Sequence, residues 1–277
     1  MSVVIPTRNR ADYLEVALAS VLAQQTDEPF EILVVDDGST DATARVVEKA
    51  GVARVHHPSP RGLNAARNAG IAATSAPLIS FVDDDVRAPA GWLDAVLAGA
   101  RKLDWAEALG GPIWASLEGP APRSCGRESA PITTLDLGPR DHETDFAWGA
   151  NLAVRRSAID RVGGFDDSLP IYGDEEEWLL RLHADGGRVA YVAGAGLEHR
   201  RVGDDARLRA LARAEYGRGR AARVSNRRRG IEPSLPRELR DLAGAGWHMA
   251  RRRCPQGAIM VAHSAGRLVE TALGPRR

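Results

Sequence analysis

The sequence predicts an α/β fold: a mostly parallel sheet flanked by helices, followed by a helical extension. Three observations carry this. Short apolar, β-branched runs recur at 2–5, 31–35 and 77–82, and each leads straight into a polar turn. Buried parallel strands end this way at the edge where such sheets bind ligands. Stretches of helical period separate the runs, and beyond residue 200 long Arg-rich helical stretches replace the strand pattern.

The first strand, 2–5, ends in Pro6, Thr7, Arg8, Asn9 and Arg10. Asp12 then opens an amphipathic helix to about Gln25, with Leu14, Ala17, Leu18, Val21 and Leu22 on one face. The second strand, 31–35, leads into Asp36-Asp37-Gly38-Ser39-Thr40-Asp41. Gly38 permits a tight turn, Ser39 or Thr40 can cap a helix beginning near Ala42, and Asp41 can complement its dipole. Asp36 and Asp37 can accept hydrogen bonds from a nucleotide base or ribose, as acidic residues at strand ends do in dinucleotide folds. Residues 61–70 then combine a Gly turn with a small-residue helix. Ala65, Ala66 and Ala69 allow close packing, and Arg67 can reach a diphosphate as a bidentate donor.

The third strand, 77–82, delivers Asp83-Asp84-Asp85. Adjacent carboxylates repel one another, so folding alone disfavours the triplet. A divalent cation carrying a phosphorylated substrate would remove that objection, and hard oxygen ligands suit Mg²⁺ or Mn²⁺. An isolated triplet would read as a solvated acidic turn; the second acidic strand end at Asp36 and Asp37 decides for a ligand site.

Between Pro112 and Asp145 the periodicity fails, and Gly-Pro pairs at 119–120 and 138–139 predict a loop able to close over a bound ligand. Four acids follow at 174–177, more than helix capping requires. Trp148 and Trp178 suit either sugar stacking or core packing. His199, after the short strand 188–192, suits either a metal ligand or an ordinary hydrogen-bonded imidazole.

Six ordered blocks resemble the family 2 glycosyltransferases, inverting enzymes of the nucleotide-diphospho-sugar transferase GT-A fold. They are VVIPTRNR at 3–10, VVDDGSTD at 34–41, NAARNAG at 64–70, FVDDDV at 81–86, the pair WGANLAVRR at 148–156 with VGGFD at 162–166, and GDEEEWLLRL at 173–182. The resemblance covers residues 1–200 as a catalytic domain and leaves 201–277 as an Arg-rich helical extension. It implies transfer of a sugar from a nucleoside-diphosphate sugar, UDP-linked by expectation, to an acceptor hydroxyl. Thr7, Arg8, Asp36, Asp37, Arg67, Asp83 and Asp84 are the expected nucleotide-sugar contacts. Asp85, Asp83 and His199 are the expected ligands of Mn²⁺ or Mg²⁺. The base maps onto Glu175, with Asp174 or Glu177 as alternatives, because the family's Glu-Asp order is reversed here. One methylene moves a carboxylate by about a bond length, enough to matter for attack geometry.

Hydrophobic content of 44% and charged content of 27% fit a globular protein. The two cysteines, Cys125 and Cys254, predict free thiols in a reducing compartment. A start directly in a strand predicts no signal peptide, and no apolar run approaches a membrane span, so a cytoplasmic protein is expected. The net charge of zero hides an asymmetry: from Arg200 onward 19 arginines accompany 7 acids. Those helices, expected at 205–224, 235–252 and 255–273, predict packing on acidic surface or peripheral contact with anionic lipid. No aromatic interleaving supports nucleic-acid binding. The acceptor (glycan, lipid carrier, peptide or small natural product) and a homodimer stay open. The rival readings are a non-catalytic nucleotide-sugar-binding protein of this fold, supported by the reversed acid pair, and a nucleotidyltransferase. The latter should open with a Gly-rich loop where residues 6–10 stand.

Overall fold

The computed structural model describes residues 1–123, 125, 132–169, 174–228, 230–232 and 234–274, apart from the side chains of 174 and 228. Its strands are β1 (Ser2–Thr7), β2 (Glu31–Asp36), β3 (Ala53–His56), β4 (Leu78–Val82), β5 (Val86–Arg87), β6 (Ala108–Gly110), β7 (Ile113–Glu118), β8 (His142–Thr144), β9 (Asn151–Arg155), β10 (Val189–Tyr191) and β11 (Leu197–Val202). Its helices are α1 (Ala11–Leu22), α2 (Thr43–Ala50), α3 (Leu63–Ala73), α4 (Trp92–Lys102), α5 (Arg156–Val162), α6 (Asp174–Ala184), α7 (Leu208–Arg228), α8 (Leu235–Arg252) and α9 (Gly257–Leu273).

The main sheet runs β3-β2-β1-β4-β9-β6-β10-β8, and a small sheet runs β5-β11-β7. β1 is parallel to β2 and β4, β3 to β2, and β10 to β6, while β9 lies antiparallel between β4 and β6. Thr7 registers with Asp36, so β1 and β2 finish level. The chain divides into two compact units, residues 1–114 with 133–199, and residues 115–132 with 200–277.

In the first unit the sheet buries both faces. Val3, Ile5 and Val34 point to one face with Leu14, Leu18, Trp92 and Leu93 of α1 and α4. Val4, Leu33, Val35 and Phe81 point to the other with Ala66, Ile159, Trp178 and Leu182 of α3, α5 and α6. This alternation is the period of two that a strand imposes on its side chains. Trp178 therefore belongs to the core, fully buried with Nε1 donating to the Gly163 carbonyl at 2.8 Å, and not to a sugar platform. Trp148 is half-buried, edge-on to Phe146 and bonded to the Thr134 carbonyl.

The second unit holds α7, α8 and α9. α9 packs on α7 partly through Ile259, buried with Leu211 and Ile132, and partly through glycine. Gly266 lies against the Tyr216 backbone and Gly219 against that of His263, so α7 and α9 approach through small residues. The buried Glu270 receives Arg220 and Arg227, and Glu238 receives Arg267 through two bonds of 2.9 and 2.6 Å. These two buried acids thus pair with arginines of the same unit.

Three local expectations are corrected. The stretch 112–145 contains β7, β8 and a bridge from Ile113 to Leu135, because Ile113 is buried and anchors the segment. Residues 124 and 126–131 of that stretch lie outside the described residues. The cap of α2 is neither Ser39 nor Thr40: Asp41 accepts from Thr43 N at 3.0 Å and also from Ala11 N at the start of α1. Cys125 and Cys254 are not free thiols but a disulfide, with Cα atoms 6.1 Å apart. A separation of 129 residues conceals this pairing, which arises because 115–132 belongs to the same unit as the C-terminal helices. Among the described residues no helix is long and apolar enough to cross a membrane.

Candidate active site

The acidic residues stand where the parallel strands end. Asp36 closes β2 and Asp83 follows β4, with Thr7 at the end of β1 between them. β11 adds a histidine from much later in the chain. Its antiparallel register with β5 sets His199 opposite Val86, the residue after Asp85.

Asp83, Asp85 and His199 converge, each offering a ligand atom within 4.8 Å of the others. His199 Nε2 is 3.0 Å from Asp85 Oδ1, and both side chains are buried. Its Nδ1 lies 3.2 Å from the Thr133 carbonyl, which only accepts, so Nδ1 carries the hydrogen. Nε2 and the Asp85 carboxylate oxygen face one another across 3.0 Å. With Asp83 they form a group of ligand atoms close enough to hold one cation. Carboxylate oxygens with an imidazole suit Mn²⁺ or Mg²⁺, and the second ring nitrogen is oriented by a carbonyl, as metal-bound histidines require. Asp83, 30% exposed, leaves one side open. The residues fit the ion.

Asp84 turns the other way. It accepts from Thr7 Oγ1 at 2.7 Å and from Arg10 Nη1 at 2.9 Å. Burial pushes its carboxyl up to about 7, with Arg10 opposing the shift and Asp85 adding to it. Arg10 Nη2 also reaches Asp85 Oδ2 at 2.9 Å, so one guanidinium straddles both acids. Burial works against the Arg10 charge, yet the two carboxylates hold its pKa above the usual arginine value.

Arg67 is buried beneath Asp83, with Nη2 at 3.9 Å from Oδ1 and its guanidinium 5.3 Å from the centre of the Phe165 ring. Gly149 makes room: a Cβ there would overlap Nη2. Phe165 in turn packs on Trp178 of α6 at 5.9 Å. The helix carrying the acids 174–177 is thereby linked by packing to the triplet. Glu175 is buried in its first turn. Glu177 holds Arg181 through bonds of 2.7 and 2.9 Å, and Arg181 continues to the Gly164 carbonyl. The side chain of Asp174 lies outside the described residues.

Asp36 and Asp37 do not touch the triplet. Asp36 accepts from Ser39 N and from Arg54. Asp37 accepts from His57 Nδ1, Arg61 N and Gly62 N at 2.8 to 2.9 Å, fixing the turn that opens α3. Gly38, at φ +74°, passes so close to Pro60 that a Cβ would lie 2.9 Å from its nitrogen. Arg8 is exposed on the loop after β1.

Sequence reasoning missed Arg10 as a site residue. A signal existed: Arg10 is the N-cap of α1, where a positive charge opposes the helix dipole and calls for a strong anionic partner.

The model of Glycosyl transferase family 2 matches residues 2–163. The chain belongs to this family. The pre-mycofactocin glycosyltransferase of Mycobacterium tuberculosis is 34% identical over 209 residues, covering 72% of this chain and 42% of its own length. The validoxylamine A glucosyltransferase of Streptomyces hygroscopicus is 33% identical over 218 residues, 67% of this chain and 52% of its own. The family 2 chain thus spans about half, or less, of these curated relatives. A mannosyltransferase from Pyrobaculum calidifontis, solved with GDP-Man and Mn²⁺, superposes with a TM-score of 0.61 at 19% identity, over 100% of this chain and 76% of that one. GalNAc-T7 with UDP, GalNAc and Mn²⁺ gives 0.60 at 16%, over 79% and 47%. The fold is GT-A.

Proposed function

We propose that this chain is a metal-dependent, inverting glycosyltransferase. It moves a sugar from a nucleoside-diphosphate sugar, with a UDP-sugar as donor, to a hydroxyl of a glycan or small-molecule acceptor by a single in-line displacement. The observation that carries the reading is the convergence of Asp83, Asp85 and His199 at the strand ends of a GT-A sheet. The relatives named as glycosyltransferases and the neighbours solved with nucleotide, sugar and Mn²⁺ support it.

Asp83, Asp85 and His199 would hold Mn²⁺ or Mg²⁺, which when bound neutralises a leaving diphosphate as a Lewis acid. Arg67, fixed by Phe165 and the space at Gly149, adds a positive charge beside Asp83 that costs no reorganisation. Thr7, Arg8, Asp36, Asp37 and Asp84 hold the nucleotide at the ends of β1, β2 and β4. Glu175, with Asp174 beside it, takes the proton of the acceptor hydroxyl. Glu177 is set aside because its carboxylate is engaged by Arg181. Peripheral contact with anionic lipid extends the reading, supported by Trp247, 69% exposed on a helix that ends in Arg251 and Arg252.

The test is thermal stabilisation and turnover across a panel of nucleotide-sugars, with Mn²⁺ and with EDTA. Ligand at 100-fold over Kd adds about 2.7 kcal/mol, a visible melting shift. A metal-dependent shift with one nucleotide and hydrolysis or transfer of its sugar supports the proposal; no shift with any nucleotide sinks it.

A further inference from the structure

A second cluster of ligating groups lies within the second unit, apart from the acidic triplet. Cys125, His248 and Cys254 each place a ligand atom within 4.8 Å of the others. The backbone builds this cluster deliberately. Arg253 takes the left-handed conformation at the C-cap of α8, with φ 49°, which folds Cys254 back so that its N–H meets the Met249 carbonyl. Gln256 Nε2 donates to the Pro122 carbonyl at 3.2 Å, holding the segment that carries Cys125 by a contact independent of sulfur. His248 Nε2 stands 3.1 Å from Cys125 Sγ.

A structural disulfide explains the two sulfurs, but offers the imidazole only a weak sulfur hydrogen bond. Two thiolates and an imidazole are instead the donors that select a borderline-soft cation over Mg²⁺ or Mn²⁺. The charges agree as well. Two thiolates with a divalent cation sum to zero.

We propose that the reduced protein binds Zn²⁺ through Cys125 Sγ, His248 Nε2 and Cys254 Sγ. Two electrons from an external thiol or phosphine open the disulfide. Zn²⁺ then takes the place of one proton on each thiol, and its fourth position is left to water or another exchangeable ligand. A Cα separation of 6.1 Å, within the range a disulfide allows, lets side-chain rotation part the sulfurs without rebuilding the backbone. The disulfide and the metal site are alternative states of the same three residues.

The full chain carrying Asp85→Ala, to weaken the triplet, would be reduced with a phosphine, stripped of metal and titrated with Co²⁺ and then Zn²⁺. The expected result is one equivalent of Co²⁺ showing a thiolate-to-metal charge-transfer band with tetrahedral d–d absorption, displaced by Zn²⁺. Adding His248→Gln, which keeps both cysteines, should weaken Zn²⁺ at least 10-fold, and Cys254→Ser should abolish the band. Absence of the band in reduced, folded protein, or Zn²⁺ affinity unchanged by His248→Gln, overturns the proposal.

Discussion

Asp85 and His199 meet with Oδ1 and Nε2 3.0 Å apart, although one follows β4 and the other lies in β11. The Thr133 carbonyl orients the ring through its other nitrogen, and the proposed cation would be held between the pair and Asp83. Loss of a mere outer partner of a metal ligand costs ~10–100-fold in affinity. His199→Ala should therefore weaken Mn²⁺ by at least that much, and Asp85→Ala by more, as read by titration calorimetry. Equal Mn²⁺ affinity in wild type and both variants would place the ion elsewhere.

Glu175→Gln keeps the size of the side chain and removes its basicity. Turnover should fall by ~10²–10⁴, the usual worth of a general base, with donor binding intact. Glu177→Gln should stay within a few-fold of wild type, because that carboxylate serves Arg181. Steady-state kinetics of the two variants separate the roles, and the reverse order of effects would reassign the base.

Arg10→Met leaves Asp84 and Asp85 without their shared guanidinium. With Arg10 itself 31% exposed, solvent moderates the loss, and a cost of ~1–3 kcal/mol follows. At ~2–4 °C per kcal/mol this is several degrees of melting temperature. Adding Asp84→Asn should recover part of it, since the carboxyl no longer needs a counter-charge. A double variant no more stable than the single one would refute the pairing.

Acid stability should depend on Asp37. Burial alone would raise its pKa, but the His57 bond and then the Arg61 and Gly62 amides outweigh burial and hold the carboxyl below the ordinary carboxylate range. A group depressed in the folded state gives stability that is present above its unfolded value, about 3.9, and lost as pH falls through the folded one. Asp37→Asn should therefore be less stable at pH 7 and lose less on acidification. Parallel pH–stability curves for the two proteins would count against this.

Gly149→Ala forces Arg67 from its slot against Phe165. Donor affinity should drop about as far as in Arg67→Ala, with the fold kept. Normal donor affinity in Gly149→Ala would show that the guanidinium's placement is unimportant.

The sheet was legible because strand, turn and helix are local patterns: the runs ending at Thr7, Asp36 and Asp83 are visible in a few residues each. The tail helices were legible for the same reason. What connects distant segments was not. Neither the grip of Arg10 on Asp84 and Asp85 nor the stack from Arg67 through Phe165 to Trp178 leaves a periodic trace. Trp178 read equally as platform or core, because one aromatic in a helix does not declare its face. The cysteines misled because chain distance says nothing about whether a segment folds back. The close approach of α7 and α9 at Gly219 and Gly266 likewise left no sign, since a glycine in a helix does not name its neighbour.

The three adjacent aspartates read as a charge conflict that a divalent cation would relieve. Arg10 and Arg67 already settle much of it. The polypeptide thus supplies counter-ions of its own to the triplet. The proposed ion would compete with Arg10 for Asp85, so its affinity would carry the cost of displacing that guanidinium.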